Sequence, residues 1–200
     1  MKTGSANRGT ADRSASDPGA LATRLAPGRS SAGGRREPVD CGHFDIRIGR
    51  DGTWYYRGSP IGRKPLVTLF SSVLHCDESG QHWLVTPVER GRIDVDDAPF
   101  VAVAVAASGT GRDQVLIFTT NIDEAVTAGP EHPLRVETDP ESGEPRPYLR
   151  VRDRLDALVS RPVFYELVGL GVDGEGADAH LFGVWSGGAF FALGPRPDAE

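Results

Sequence analysis

An α+β fold, mostly antiparallel and with two main helices, follows from how apolar residues recur along this chain. Several runs alternate apolar and polar side chains, as half-buried strands do. Two short stretches place apolar residues at helical spacing just after a proline, and acidic or glycine-rich breaks separate the segments. The 200 residues are 38% hydrophobic, 25% charged and 8% aromatic, a composition that supports a sizeable core.

The chain opens on residues 1–38, rich in Ser, Gly, Ala and Arg. Beyond Met1, only Leu21 and Leu25 there are large and apolar. So little burial cannot offset ordering entropy, which predicts a disordered N-terminal tail over 1–38. A single α+β domain is expected over 39–196, and a short C-terminal tail over 197–200. Phe44, Ile46 and Ile48 alternate with Asp45 and Arg47 as a strand, and Asp51-Gly52 turns it into Trp54-Tyr55-Tyr56. Pro65 suits a first helical turn, and Leu66, Leu69, Phe70 and Val73 follow at helical spacing, predicting a helix over Arg63 to Leu74. After the turn at Asp77 to Gly80, strands are predicted at His82 to Val85, Val88 to Val95, Phe100 to Ala106 and Val115 to Thr119.

The second half reads alike. Leu134 to Glu137 and Tyr148 to Val151 form a hairpin around Asp139-Pro140-Glu141-Ser142-Gly143. Ser160 is placed to cap a helix that has Pro162 in its first turn and carries Val163, Phe164, Leu167 and Val168. His180 to Trp185 and Ala189 to Leu193 close the chain as a hairpin around Ser186-Gly187-Gly188. Two repeated ββαββ motifs, over about 44–95 and 133–194, are the economical reading.

Charge and composition exclude several classes. Residues 1–38 hold seven basic and three acidic residues. Of the 22 basic and 28 acidic in the whole chain, that leaves an acidic body that repels nucleic acid and anionic membranes. The longest apolar run, Phe100 to Ala107, is far short of a bilayer span, and no secretion signal is evident, so a cytoplasmic protein is expected. Cys41 and Cys76 read as free thiols in a reducing compartment. Cys41, His43, His75, Cys76 and His82 lack the paired spacing of a zinc site, so no metal and no cofactor is expected.

Several blocks resemble the domain-of-unknown-function family 1285. They are Phe44 to Ile48 through Gly58 to Val67, Trp83 to Gly91, and Pro147 to Val151 with Arg161 to Glu166. The resemblance covers roughly Cys41 to Gly194. It implies a small α+β protein with repeated helix-plus-hairpin motifs and a link to signal transduction. It carries over no catalytic residue.

The best candidate site is Gly58-Ser59-Pro60-Ile61-Gly62-Arg63-Lys64, where glycines and two cations precede a helix whose first N–H groups favour an anion. Strand alternation sets Arg90 and Arg92 on one face and Glu89 and Gly91 on the other, so the two arginines can grip a phosphate or carboxylate. Arg161 is the counterpart of Arg63 in the second half. The ligand-binding residues expected are therefore Arg63, Lys64, Arg90, Arg92 and Arg161, with catalytic residues unassigned. The leading reading is a small-anion or nucleotide-like ligand-binding module, or a partner-binding module, in signal transduction. The alternatives are an enzyme acting on a phosphorylated or carboxylated small molecule, with Glu89 or Glu166 as base, and a protein-interaction scaffold. The oligomeric state stays open.

Overall fold

The computed structural model describes residues 17–25 and 37–196. A short helix, α1 (Pro18–Leu25), comes first and buries Leu21, Ala22 and Leu25. This corrects the expectation of a disordered tail for that stretch: two leucines four residues apart form one apolar stripe, and the stripe docks on the core. The rest of that tail, 1–16 and 26–36, lies outside the described residues, as does the expected tail at 197–200.

Strand β1 (Val39–Ile48) buries Phe44, Ile46 and Ile48 on one face. Gly52, at φ +77°, makes the turn, and Asp51 accepts hydrogen bonds from the Thr53 amide and hydroxyl. The chain returns as β2 (Trp54–Tyr56), opposing Trp54 to Ile48 and Tyr56 to Ile46, and continues as β3 (Ser59–Pro60). Helix α2 (Lys64–Ser72) starts with Pro65 in its first turn and packs Phe70 on Trp54 with ring centroids 6.1 Å apart. It stops short of the expected Leu74, which instead opens β4 (Leu74–Cys76), followed by β5 (His82–Val85) and β6 (Glu89–Val95). The first sheet runs β3-β2-β1-β6-β5-β4, antiparallel throughout except where β1 meets β6.

The second half begins with β7 (Phe100–Ser108), β8 (Val115–Thr120) and β9 (Ala125–Thr127). It continues with β10 (Leu134–Thr138), β11 (Pro145–Arg152) and β12 (Leu155–Val159). Their sheet runs β10-β11-β12-β7-β8-β9, with β12 and β7 the parallel pair. Helix α3 (Arg161–Gly169) follows, then β13 (Val172–Asp173), β14 (Leu181–Ser186) and β15 (Ala189–Pro195) as a separate three-stranded sheet. One cluster of buried side chains runs through both halves, from Leu21 to Leu193.

The fold is thus mixed α/β and dominated by antiparallel pairs, but the expected ββαββ repeat is not its unit. What recurs is a six-stranded sheet made of two three-stranded meanders, in which the first strand of one pairs in parallel with the last strand of the other. In the first sheet α2 joins the meanders; in the second a loop does, and α3 comes after the sheet is complete. The hairpins that suggested the repeat are local. The parallel ladders that define the sheets pair distant segments, so no local pattern announces them.

The helices also differ in what they bury. Phe70 on α2 is wholly buried, whereas α3 buries Val163 and Leu167 and leaves Phe164 half-buried. Ser160 stands at the N-cap of α3 as expected, without a side-chain capping bond. Phe70→Ala should cost about 3–5 kcal/mol, the range for a buried aromatic, and Phe164→Ala clearly less; denaturant midpoints of the two variants measure the difference. Leu25→Ala should cost about 2–5 kcal/mol, because Leu25 is fully buried. A midpoint equal to wild type for that variant would mean that α1 does not dock in solution.

Candidate functional site

Helix α1 lies against the start of α2, and between them runs a groove of about 590 Å³. Its lining is Ala22, Pro65, Leu66 and Leu69 with Gly19, Gly62, Arg63 and Lys64. Arg63 occupies the N-cap of α2 in an extended conformation, and Lys64 is the first helical residue. Both cations are exposed at the groove. Arg63 lies 3.5 Å from Asp17 and Lys64 2.6 Å from Asp123, and all four side chains are at least half exposed.

Arg90 and Arg92 are elsewhere. On β6, Gly91 and Ile93 face the core, Gly91 against the Phe44 ring, while Arg90 and Arg92 point to solvent. Trp83 on β5 stands beside them: the Arg90 guanidinium is 5.0 Å and that of Arg92 6.0 Å from its ring. Arg90 also approaches Asp40 at 3.5 Å. Helix α1 is on the opposite face, tied there by Arg24 to Glu89 at 2.8 Å. The first sheet therefore stands between the Arg90–Arg92 pair and the helices, and the pair does not close over the start of α2.

Arg161 opens α3, pairs with Glu144 and lines a cavity of about 240 Å³ with Ser160 and Phe164. Its place in the helix, immediately before Pro162, matches Lys64 before Pro65, so Lys64 is its counterpart and not Arg63. The five expected ligand-binding residues fall at three separate places. The two acids considered as bases fall at none of the cation clusters that would need them. Glu89 is half-buried with one oxygen held by Arg24, and Glu166 is exposed on α3.

A fourth place was not legible in the sequence. Where the two halves meet, a cavity of about 210 Å³ is lined by His82 and Asp97 from the first half and Arg135, Glu137, Tyr148, Arg154 and Asp156 from the second. Asp97 accepts from the Tyr148 hydroxyl at 2.8 Å and from Arg146. Asp156 accepts from Arg150 at 2.5 Å and pairs with Arg135 at 3.0 Å, and Arg135 also donates to Glu137 at 2.8 Å. Burial pushes the His82 imidazole below its ordinary value, and burial with the Asp97 hydrogen bond pushes the Tyr148 phenol up to about 12. The only signal in the sequence was a density of arginine and acid over 135–156, which alone does not tell a surface from a junction. Among the described residues no group of His, Cys, Asp or Glu side chains is placed to hold a metal ion. No described helix is long and apolar enough to cross a membrane, and Cys41 and Cys76 are unpaired.

The arrangement defines a mixed α/β protein of two six-stranded sheets and one three-stranded sheet, with an apolar groove rimmed by cations and a polar junction cavity. Residues 35–98 match the N-terminal domain, and residues 99–193 the C-terminal domain, of the protein family of unknown function DUF1285. The chain belongs to that family. A DUF1285 family protein from Silicibacter pomeroyi DSS-3, solved by crystallography, is 44% identical and superposes with a TM-score of 0.77, over 90% of this chain and 95% of that one. A second, from Shewanella baltica OS155, is 25% identical with a TM-score of 0.50, over 62% of this chain and 91% of its own. No curated protein matches the chain.

The raised phenol yields a direct check. The folded protein holds the Tyr148 proton to about pH 12, whereas the unfolded chain releases it near 10. Its contribution to stability is therefore whole below pH 10 and is lost as the pH rises from 10 to 12. Tyrosinate absorbance should show one of the four tyrosines titrating last, and Tyr148→Phe should remove that late step. A wild-type titration in which all four tyrosines share a midpoint near pH 10 would contradict the Tyr148–Asp97 bond.

Proposed function

We propose that the protein is a ligand-binding module of signal transduction, acting in the cytoplasm, that takes a small amphipathic anion in the groove between α1 and α2. The ligand class is a phosphate or carboxylate on an apolar or ring-bearing body, nucleotide-like ligands included. The observation that carries this reading is the meeting of two exposed cations with an apolar wall: Arg63 and Lys64 at the rim, Ala22, Pro65, Leu66 and Leu69 beneath. The volume of about 590 Å³ is within the usual range of small-molecule pockets. The present partners of the cations are weak competitors, since exposed pairs such as Arg63–Asp17 contribute only about 0–1 kcal/mol. A ligand anion replaces them at little loss, and the positive end of the α2 dipole favours it further. The link to signalling rests on the family resemblance.

The enzyme reading has less to support it. Neither Glu89 nor Glu166 lines the groove, and the carboxylates beside it, Asp17 and Asp123, are exposed and paired to the cations. A partner-binding reading draws on the outer face of the first sheet, where Arg90 and Arg92 flank Trp83 beside Asp40.

The test is a melting-temperature screen of the full chain against nucleotides, acyl phosphates and fatty carboxylates, followed by Arg63→Ala. A charge-assisted contact contributes about 1.5–3 kcal/mol, so the variant should bind an identified ligand about one to two orders of magnitude more weakly. The denaturant midpoint should hardly move, because the Arg63 side chain is 71% exposed. Unchanged affinity would remove the groove from consideration.

A further inference from the structure

We propose that the free edge of β7 is a self-association surface, along which a second copy of this chain adds its own β7 in antiparallel alignment about a two-fold axis.

The edge is open because the ladder beside it stops early. Strand β12 pairs with β7 only from Phe100 to Ala102, and the Ser160 amide donates to the Ala102 carbonyl before the chain leaves into α3. Beyond that point β7 continues to Ser108, paired with β8 alone. The hydrogen bonds of β8 fix which groups are left over. The Leu116 carbonyl accepts from Ala128 and the Thr120 amide donates to Glu124, so even-numbered residues of β8 turn toward β9 and odd-numbered ones toward β7. Thr119, Ile117 and Val115 oppose Ala104, Ala106 and Ser108, which therefore direct their amides and carbonyls to β8. Val105 and Ala107 point theirs the other way, and among the described residues no group meets them there.

Composition leaves this edge unguarded. Exposed edges are ordinarily blunted by lysine, proline or a covering segment. From Phe100 to Thr110 the chain has no charged residue, and neither β8 nor β9 carries one. Ala104, Ala106, Ala107 and Ser108 are exposed, so α3 does not cover them. Of the seven large apolar side chains exposed among the described residues, four (Val103, Ile117, Tyr165 and Val168) lie on this hairpin and on α3.

The occupant that fits is a second copy. The chain carries a net charge of −6, so two copies repel through their acidic surfaces, and an uncharged edge is where they meet without that repulsion. The edge is also complementary to itself. With Ala106 on the two-fold axis, Val105 of each copy faces Ala107 of the other, and every free amide finds a free carbonyl. Sliding the copies past one another leaves some of these groups unmatched. A stable interface buries about 1,200–2,000 Å² in total, more than a ladder over residues 104–108 supplies alone. The rest is at hand: α3 begins where the free edge begins, so the hairpin end of the second copy reaches that helix and its exposed Tyr165. The result is strand addition between identical chains, two six-stranded sheets joined into one.

The experiment is sedimentation of the full-length chain over a dilution series, with two variants at the axis. Wild type should sediment as a dimer at about 100 µM and dissociate on dilution. Ala106→Glu sets like charges face to face at the axis without removing any bond to β8, and should weaken the dimer at least about tenfold. For the second variant the exposed Cys41 is first replaced by Ser, and Cys76 is buried. In that background Ala106→Cys should form an inter-chain disulfide under mild oxidation. Its Cα and that of the second copy lie about 4.5 Å apart in this register, within bridging range. Ser79→Cys, in the turn between β4 and β5, should form none. Should Ala106→Glu fail to fold, the cross-link decides. A monomer at every concentration up to about 100 µM overturns the proposal. So does a dimer undiminished in Ala106→Glu, which would mark another surface, or no cross-link through Ala106→Cys. None of these outcomes bears on the α1–α2 groove, since β7 is no part of it.

Discussion

Two parallel ladders, β1 with β6 and β12 with β7, dictate the shape of the whole molecule. Antiparallel neighbours need only a short turn between them, but parallel neighbours require the chain to travel back to its starting edge. In the first sheet that return is made by two meanders and α2, so the helix has to cross the sheet, where Phe70 meets Trp54. The ladder also fixes the two faces of β6. Gly91 is turned inward against Phe44, where an added Cβ would come within 2.6 Å of the ring, so the strand tolerates no side chain at that position. Arg90 and Arg92 are turned outward by the same alternation. The separation of the two arginine pairs is thus a consequence of the ladder and of the two-residue period of a strand.

Arginine supplies the second layer of organisation. Twenty of the 22 basic residues are arginine, and many sit in ion pairs that join distant segments. Arg146 joins β11 to Asp97 in the connection between the sheets, and Arg150 and Arg135 hold Asp156 from neighbouring strands. Arg152 makes three contacts at once: it donates to Ser71 O at the end of α2, pairs with Glu124 at 2.6 Å, and lies over the Phe100 ring. Planar, fork-shaped donors suit such shared contacts better than lysine does. An acidic body can therefore be rich in arginine whose charge is largely spent on ion pairs within the fold.

Much of this was legible in the sequence where the physics is local. The Asp51-Gly52 hairpin, the strand at His82–Val85 and the helices after Pro65 and Pro162 all follow from turn chemistry and periodicity within a dozen residues. The inward and outward alternation at residues 89–92 was readable for the same reason. Short strands were not. Leu74–Cys76 is only three residues long and continues the apolar pattern of the preceding helix. Leu155–Val159 has Asp156 within it, which reads as a break until Arg135 and Arg150 neutralise it. Helix α1 was missed because an eight-residue helix has too little propensity of its own, and forms here only because Leu21 and Leu25 find a core. The junction cavity required both halves to be in place, so no window of sequence contains it.

The two ends of α2 connect these layers. Its start carries Arg63 and Lys64 beside the groove, and its last turn presents the Ser71 carbonyl to Arg152 of the second sheet at 2.8 Å. A nine-residue helix is a stiff element of about 13 Å, too short to absorb a displacement by bending. A ligand that favoured a shifted position of α2 would therefore have to stretch the Ser71–Arg152 bond and with it the Arg152–Glu124 pair. Conversely, those contacts hold the helix where the groove is open, and a coupling of this kind would act equally in both directions. Under the proposed groove reading, α2 is the stiff element with an anchored far end that would carry occupancy from the first half to the second.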